Sequence, residues 1–112
     1  MDEKKYADAM QIILHAGSAK SSALMAVDSA ADGDFEAAET QLEMARSEMH
    51  EAHDAQLALI QGEASGDTVE LSLILIHAQD HLSMAIIASD MAERMVGMYR
   101  RMFELEQDSR CL

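Results

Sequence analysis

The sequence predicts an all-α protein, an antiparallel three-helix bundle with up-down-up connectivity. Its 112 residues contain no proline and only five glycines, so few positions interrupt a helix. Two short glycine-containing segments, residues 31–34 and 62–67, divide the chain into three parts. Within these parts apolar residues recur at alternating steps of three and four, which is the repeat of long packed helices. The length suits a single domain, residues 1–112.

The first helix is predicted over about residues 4–31 and the second over about residues 35–63. Between them, Gly33 suits the left-handed position that ends a helix, and Asp34 suits the N-cap of the next one. The first helix has a less regular apolar row, which includes Gly17, and this glycine predicts a close approach of another helix. The second helix has the clearest row, formed by Phe35, Ala38, Leu42, Ala45, Met49, Ala52, Gln56 and Leu59.

The third helix is predicted over about residues 69–108, after Asp67 and Glu70, whose spacing resembles a capping box. It carries two apolar rows. The first row contains Leu73, His77, Asp80, Met84, Ile87 and Met91. The second row contains Leu71, Ile74, Ala78, Leu82 and Ala85. Two helices of the same chain cannot cover so wide an apolar arc, so the pattern predicts self-association.

The charge balance excludes several classes of partner. Eight basic residues oppose twenty-one acidic ones, which gives a formal charge of −13. Such a surface repels a phosphate backbone, so nucleic-acid binding is not expected. No run reaches the roughly 18 apolar residues of a membrane span, and the N-terminus lacks the apolar core of a signal peptide. The single cysteine, Cys111, has no partner for an intramolecular disulfide. We therefore expect a cytoplasmic protein without direct membrane insertion.

Residues 76–82, Ile-His-Ala-Gln-Asp-His-Leu, place two imidazoles, an amide and a carboxylate in an apolar run. On a helix, His77, Asp80 and His81 share one face because residues three and four apart are neighbours. An imidazole offers an unprotonated nitrogen near neutral pH, so His77 is a candidate nucleophile or metal ligand. A buried histidine that only fills space in the core is the competing interpretation.

Asp80 lacks a local cation, since no lysine or arginine lies between Arg46 and Arg94. A carboxylate in an apolar row is costly unless it is paired or bound to a metal. If copies of Asp80 converge in an oligomer, a shared proton or a hard cation such as magnesium would relieve their repulsion.

The remaining histidines do not fit known metal motifs. His50 and His53 are three residues apart, whereas a metalloprotease helix spaces its histidines by four. No histidine follows a glutamate by three residues, so the di-iron bundle motif is also missing. There is no glycine-rich phosphate loop either, and any phosphoryl chemistry would therefore use a protein donor rather than a bound nucleotide.

The sequence resembles the IIA component of the lactose/cellobiose class of the bacterial phosphoenolpyruvate-dependent sugar phosphotransferase system. The strongest block is Ser72–Leu82, which reads Ser-Leu-Ile-Leu-Ile-His-Ala-Gln-Asp-His-Leu. The resemblance extends over nearly the whole chain. Further similar blocks are Gly33-Asp34-Phe35, residues 16–21, and Glu51-Ala52-His53 with Gln56.

This resemblance implies a phosphocarrier that works as a homotrimer. His77 would accept a phosphoryl group from the histidine phosphocarrier protein and pass it to a cysteine of the cognate IIB protein. Asp80 would bind a divalent metal, magnesium, where three chains meet, and Gln79 and His81 would support the active site. The process served would be uptake of a β-linked disaccharide of the cellobiose/chitobiose or lactose class. The alternative is a metal-stabilised helical scaffold or interaction protein without transfer activity.

Overall fold

The computed structural model describes residues 2–111, with the side chains of residues 2–109. It contains three helices: α1 (Glu3–Ala31), α2 (Phe35–Ala64) and α3 (Leu73–Cys111). The N-terminal halves of α1 and α3 share one core cluster and their C-terminal halves share a second, so these two helices run parallel and α2 runs against both. The bundle is 66 Å long and 19 Å across. The prediction of an all-α, up-down-up three-helix bundle is confirmed.

Part of the sequence prediction lies outside the described residues, namely Met1, Leu112 and the side chain of Cys111. Within residues 2–111, no helix is long and apolar enough to cross a membrane.

The connection between α1 and α2 forms as its residues predict. Gly33 has a φ of 81°, a left-handed conformation that glycine adopts without steric cost. Asp34 then caps α2, because its Oδ1 accepts a hydrogen bond from the backbone N–H of Ala37 at 3.1 Å. The tight turn places α1 and α2 side by side along most of their length.

The connection between α2 and α3 differs from the prediction. α3 begins at Leu73, four residues later than expected, and Ser72 Oγ accepts a hydrogen bond from the backbone N–H of Leu75 at 3.2 Å. The predicted capping residue, Asp67, instead accepts a hydrogen bond from Lys5 Nζ at 2.8 Å. The capping-box prediction is wrong because a cation from the start of the chain holds this carboxylate. The same contact raises the pKa of Lys5.

The core is built from small and aliphatic side chains. The predicted row on α2 is confirmed, and its buried members are Ala38, Leu42, Ala45, Ala52 and Leu59. On α1 the buried row lies one position earlier than predicted and consists of Ala9, Ile12, Ala16, Ala19, Ser22, Ala23, Ala26 and Ala30. Gly17 is therefore beside the core row, and a Cβ built on it meets no atom within 4 Å. The predicted close helix approach at Gly17 is wrong for this chain.

Only one of the two rows on α3 packs inside the bundle. The buried residues of α3 follow the second row from Ala78 onward, with Leu75 before it: Leu75, Ala78, Leu82, Ala85, Ala92 and Val96. Of the predicted second row, Leu71 lies before the helix and is 82% exposed, and Ile74 is only partly buried. The first row is exposed along its whole length. We call it the outer row: Leu73, His77, Asp80, Met84, Ile87 and Met91. Leu73 is 84% exposed and Ile87 is 65% exposed, so α1 and α2 cover little of this face.

Candidate functional site

Two histidines meet near the start of α3. Nε2 of His77 lies 3.0 Å from Nε2 of His81, one helical turn further along. Their ring centroids are 4.4 Å apart and the ring planes meet edge to face at 76°. His77 is exposed and His81 is partly buried. The interpretation of His77 as a space-filling core residue is therefore wrong, because its ring lies at the surface.

The short contact between the two Nε2 atoms limits which ring nitrogens can carry a proton. Two ring nitrogens at this distance share one proton, so one ring donates an N–H and the other accepts it through a lone pair. When His81 is the donor, His77 carries its own proton on Nδ1 and presents the Nε2 lone pair. In that arrangement the neighbouring imidazole makes Nε2 the nucleophilic nitrogen of His77.

Asp80 lies in the middle of the outer row and is exposed. Among residues 2–109 no side chain forms an ion pair or hydrogen bond with it. The same part of the chain contains no group of three or more His, Cys, Asp or Glu that could hold a metal ion. One chain thus offers a single carboxylate surrounded by large apolar side chains. Further ligands for a cation would have to come from other copies.

Gln79 is directed away from the two histidines, toward α2. Its Oε1 accepts a hydrogen bond from Nε2 of Gln56 at 2.7 Å, and both side chains are partly buried. The structure therefore separates Gln79 from His77 within one chain, although the sequence places them two residues apart. The amide of Gln56 in the apolar row of α2 was the sequence signal for this polar contact between the helices.

The other histidines occupy different surroundings. His15 joins α1 to α2, with Nδ1 2.7 Å from Glu48 Oε2 and Nε2 3.0 Å from Gln11 Oε1. His50 lies 3.4 Å from an oxygen of Asp54 on the same helix. None of these contacts involves the pair on α3.

Comparison with known proteins agrees with this arrangement. Residues 7–100 match the sequence model of the family described as "PTS system, Lactose/Cellobiose specific IIA subunit". The chain is 41% identical over 104 residues to the lichenan-specific phosphotransferase enzyme IIA component of Bacillus subtilis, covering 93% of this chain and 94% of the relative.

Two solved structures share the fold. The crystal structure of the PTS cellobiose-specific enzyme IIA from Bacillus anthracis has a TM-score of 0.88 and 36% identity, covering 93% of this chain and 95% of that chain. The IIA(Chitobiose) protein of Escherichia coli, in a solution structure of its complex with HPr, has a TM-score of 0.76 and 31% identity, covering 91% and 98%.

Proposed function

The chain belongs to the lactose/cellobiose-specific IIA family of phosphotransferase systems, and we propose that it carries the phosphoryl group on His77. Membership makes the chain a phosphotransferase component. The observation that supports His77 as the carrier is its exposed imidazole, held 3.0 Å from a second imidazole on a continuous helix. Phosphoryl transfer depends mainly on positioning and charge stabilisation, and a rigid helix supplies the positioning.

The transfer requires a lone pair on one nitrogen of His77. With His81 as hydrogen-bond donor, that lone pair is on Nε2, which attacks the phosphorus of a phosphohistidine on the donor. The donor's N–P bond breaks, and its electron pair returns to the donor's ring nitrogen. Each ring keeps the N–H on its other nitrogen, so no proton has to be lost. The Nε2–H of His81 is then free to donate to a phosphoryl oxygen instead of to His77.

The donor proposed is the histidine phosphocarrier protein, and the acceptor is a cysteine of the cognate IIB protein. A structural relative has been solved in complex with HPr, which supports the first assignment. The formal charge of −13 favours a donor with a basic docking face, because complementary charge accelerates association.

Phosphorylation with purified general phosphotransferase proteins and labelled phosphoenolpyruvate tests this proposal. Wild type is expected to take up one phosphoryl group per chain, and His77→Ala none. His50→Ala is the matched control, since it removes another exposed histidine outside the pair. Full labelling of His77→Ala would refute the assignment. Absence of labelling in wild type would instead favour the scaffold without transfer activity.

We also propose that three chains assemble through the apolar residues of the outer row, with three copies of Asp80 around a divalent cation, magnesium, and with His77 left accessible to the donor. The exposed apolar side chains and the unpaired carboxylate support this arrangement, because converging carboxylates need a cation and magnesium prefers oxygen ligands. Native mass spectrometry provides the test. A trimer that retains one divalent ion in wild type and none in Asp80→Asn is expected, and a monomer at micromolar concentration would contradict it.

The sugar proposed is a β-linked disaccharide of the cellobiose/chitobiose or lactose class. The three relatives above are named for lichenan, cellobiose and chitobiose, at comparable identities to this chain. Similarity therefore supports the class and leaves the individual sugar open. Uptake of a panel of these disaccharides by cells with and without the intact gene would identify it, and unchanged uptake of every member would contradict the class.

A further inference from the structure

We infer that Lys20 on α1 binds the phosphoryl group that His77 carries. The inference rests on the proposed function, and it gives a role to a residue on a different helix, outside the His-Ala-Gln-Asp-His motif, to which the resemblance assigned none. Its role would be to place a positive charge beside the phosphoryl oxygens.

The part of α3 that carries the two histidines has no basic side chain. A phosphoryl group adds about two negative charges near neutral pH, and the chain already has a formal charge of −13. α3 contributes no lysine or arginine before Arg94, seventeen residues beyond His77. A cationic side chain for the phosphoryl group must therefore come from another helix, from another copy of the chain or from the donor protein.

Two of the three lysines on α1 are already engaged in ion pairs. Lys4 Nζ lies 3.2 Å from Asp8 Oδ2, and Lys5 Nζ lies 2.8 Å from Asp67 Oδ1. Lys20 is partly buried, yet among residues 2–109 no carboxylate pairs with it and no acceptor binds its ammonium group. An unpaired ammonium group in so acidic a chain is available for an anionic ligand.

Lys20 is on the side of α1 that faces α3. The side that faces α2 is marked by two contacts, from His15 to Glu48 and from Ser29 to Gln41. Lys20 lies on a different face of α1, the face that carries Ile13 and Val27. Each of these two residues is seven positions from Lys20, which is two turns of the helix. Ile13 packs against the core cluster that contains the first buried residues of α3, and Val27 packs against the cluster that contains the later ones.

The helix register places Lys20 just beyond the histidine pair. The buried rows of the two parallel helices have the same spacing, with steps of three, four and three residues. On α1 the row is Ala9, Ile12, Ala16 and Ala19, and on α3 it is Leu75, Ala78, Leu82 and Ala85. When the two rows are aligned residue by residue, with Ala9 level with Leu75, Lys20 lies about 7 Å further along the bundle than His81 and about 13 Å further than His77, at 1.5 Å per residue. Side chains on a helix lean toward its N-terminus, so a lysine chain at this position is long enough to reach back toward the pair.

Gly17 provides the space for this arrangement. It is one turn before Lys20, level with the region just after His81, and no atom lies within 4 Å of the position of its missing Cβ. The bundle itself therefore leaves this part of α1 open to an added group.

Three variants test the role of Lys20 in a system that phosphorylates wild type. Lys20→Met removes the charge, and Lys20→Arg keeps it. Arg101→Met is the matched control, because it makes the same change in net charge about 36 Å along α3 from His77. The first measurement is the equilibrium between phosphorylated donor and phosphorylated chain. The second is the phosphorus NMR titration of the phosphoryl group, which follows a nearby charge and does not respond to a purely structural role.

Lys20→Met is expected to shift the transfer equilibrium against the chain by about tenfold, the effect of one charge-assisted hydrogen bond, and to raise the pKa of the phosphoryl group. Lys20→Arg and Arg101→Met are expected to match wild type. If Lys20→Met matches Arg101→Met in both measurements, the inference is overturned. Should the methionine variant fail to fold by circular dichroism, Lys20→Gln serves as the neutral variant with the same expected shifts. Failure of wild type to accept a phosphoryl group would count against the proposed function and not specifically against Lys20.

Discussion

Replacement of Ile87 by lysine is expected to dissociate the proposed trimer while each chain stays folded. Ile87 lies in the outer row of α3 and is 65% exposed within the chain, so it contributes little to the core of the bundle. In the proposed trimer, other copies would bury its remaining apolar surface. The substitution therefore separates assembly from folding.

The expected magnitude follows from the surface that is still exposed. Full burial of an isoleucine side chain contributes about 1.5–3 kcal/mol. The exposed 65% then corresponds to about 1–2 kcal/mol for each copy, or about 3–6 kcal/mol for a trimer. Loss of this contribution weakens assembly by about 10²–10⁴-fold, before the repulsion among three ammonium groups is added.

Sedimentation at micromolar concentration measures the effect, and circular dichroism reports whether the chain remains helical. Leu14→Lys is the matched control, because Leu14 is 59% exposed on α1 and the change in charge is the same. Dissociation by Ile87→Lys and not by Leu14→Lys is the expected result. An Ile87→Lys protein that sediments like wild type would refute the assignment of the outer row to the interface between chains.

Three further predictions concern the stability of the bundle. Leu82→Ala is expected to lower the free energy of unfolding by about 2–5 kcal/mol, because Leu82 is fully buried between the helices; a urea denaturation curve like that of wild type would contradict this. Gly33→Ala is expected to cost about 1–2 kcal/mol, since alanine is strained at the positive φ of this turn; thermal unfolding provides the measurement. Lys5→Met is expected to lower the melting temperature at pH 8, where Lys5 is bound to Asp67 and Thr68. The contact with Asp67 raises the pKa of Lys5. The stabilising effect of this contact is therefore present below the ordinary lysine pKa of about 10.4, and it is lost as the pH rises through the raised pKa of Lys5. The difference between Lys5→Met and wild type should therefore shrink at alkaline pH, and a constant difference would contradict the role of the charge.

Local signals predicted the first connection, whereas a long-range contact determined the second. The pair Gly33 and Asp34 encodes a helix end and a helix start within two residues: Gly33 adopts the left-handed backbone conformation, and the Asp34 side chain caps α2. Asp67 has an equally good local signal for capping. It forms a hydrogen bond with Lys5, which is 62 residues away in sequence, and no spacing rule reveals that contact. α3 consequently starts at Ser72 and Leu73 instead of near residue 69.

The functional face of α3 was only partly predictable for a related reason. Its two apolar rows have the same period, so periodicity does not indicate which row packs inside. Ala78 and Ala85 belong to the row that faces α1, where small side chains let two helices approach closely, and this row is buried. The bulkier outer row remains at the surface. The meeting of His77 with His81 followed directly from their spacing of four, whereas the turn of Gln79 toward Gln56 depends on where α2 packs.

The position of the histidine pair leads to a prediction about the dissociated protein. Both imidazoles belong to one chain, and their contact lies within a single helical turn. Lys20, the proposed third group, belongs to the same chain, so all three groups are present in a monomer. The Ile87→Lys monomer is therefore expected to reach the same transfer equilibrium as wild type, although docking of the donor can be slower. Labelling of the monomer at equilibrium measures this directly. A monomer that takes up no phosphoryl group while staying helical would show that a neighbouring chain completes the site, and Lys20 would then be insufficient as its cation.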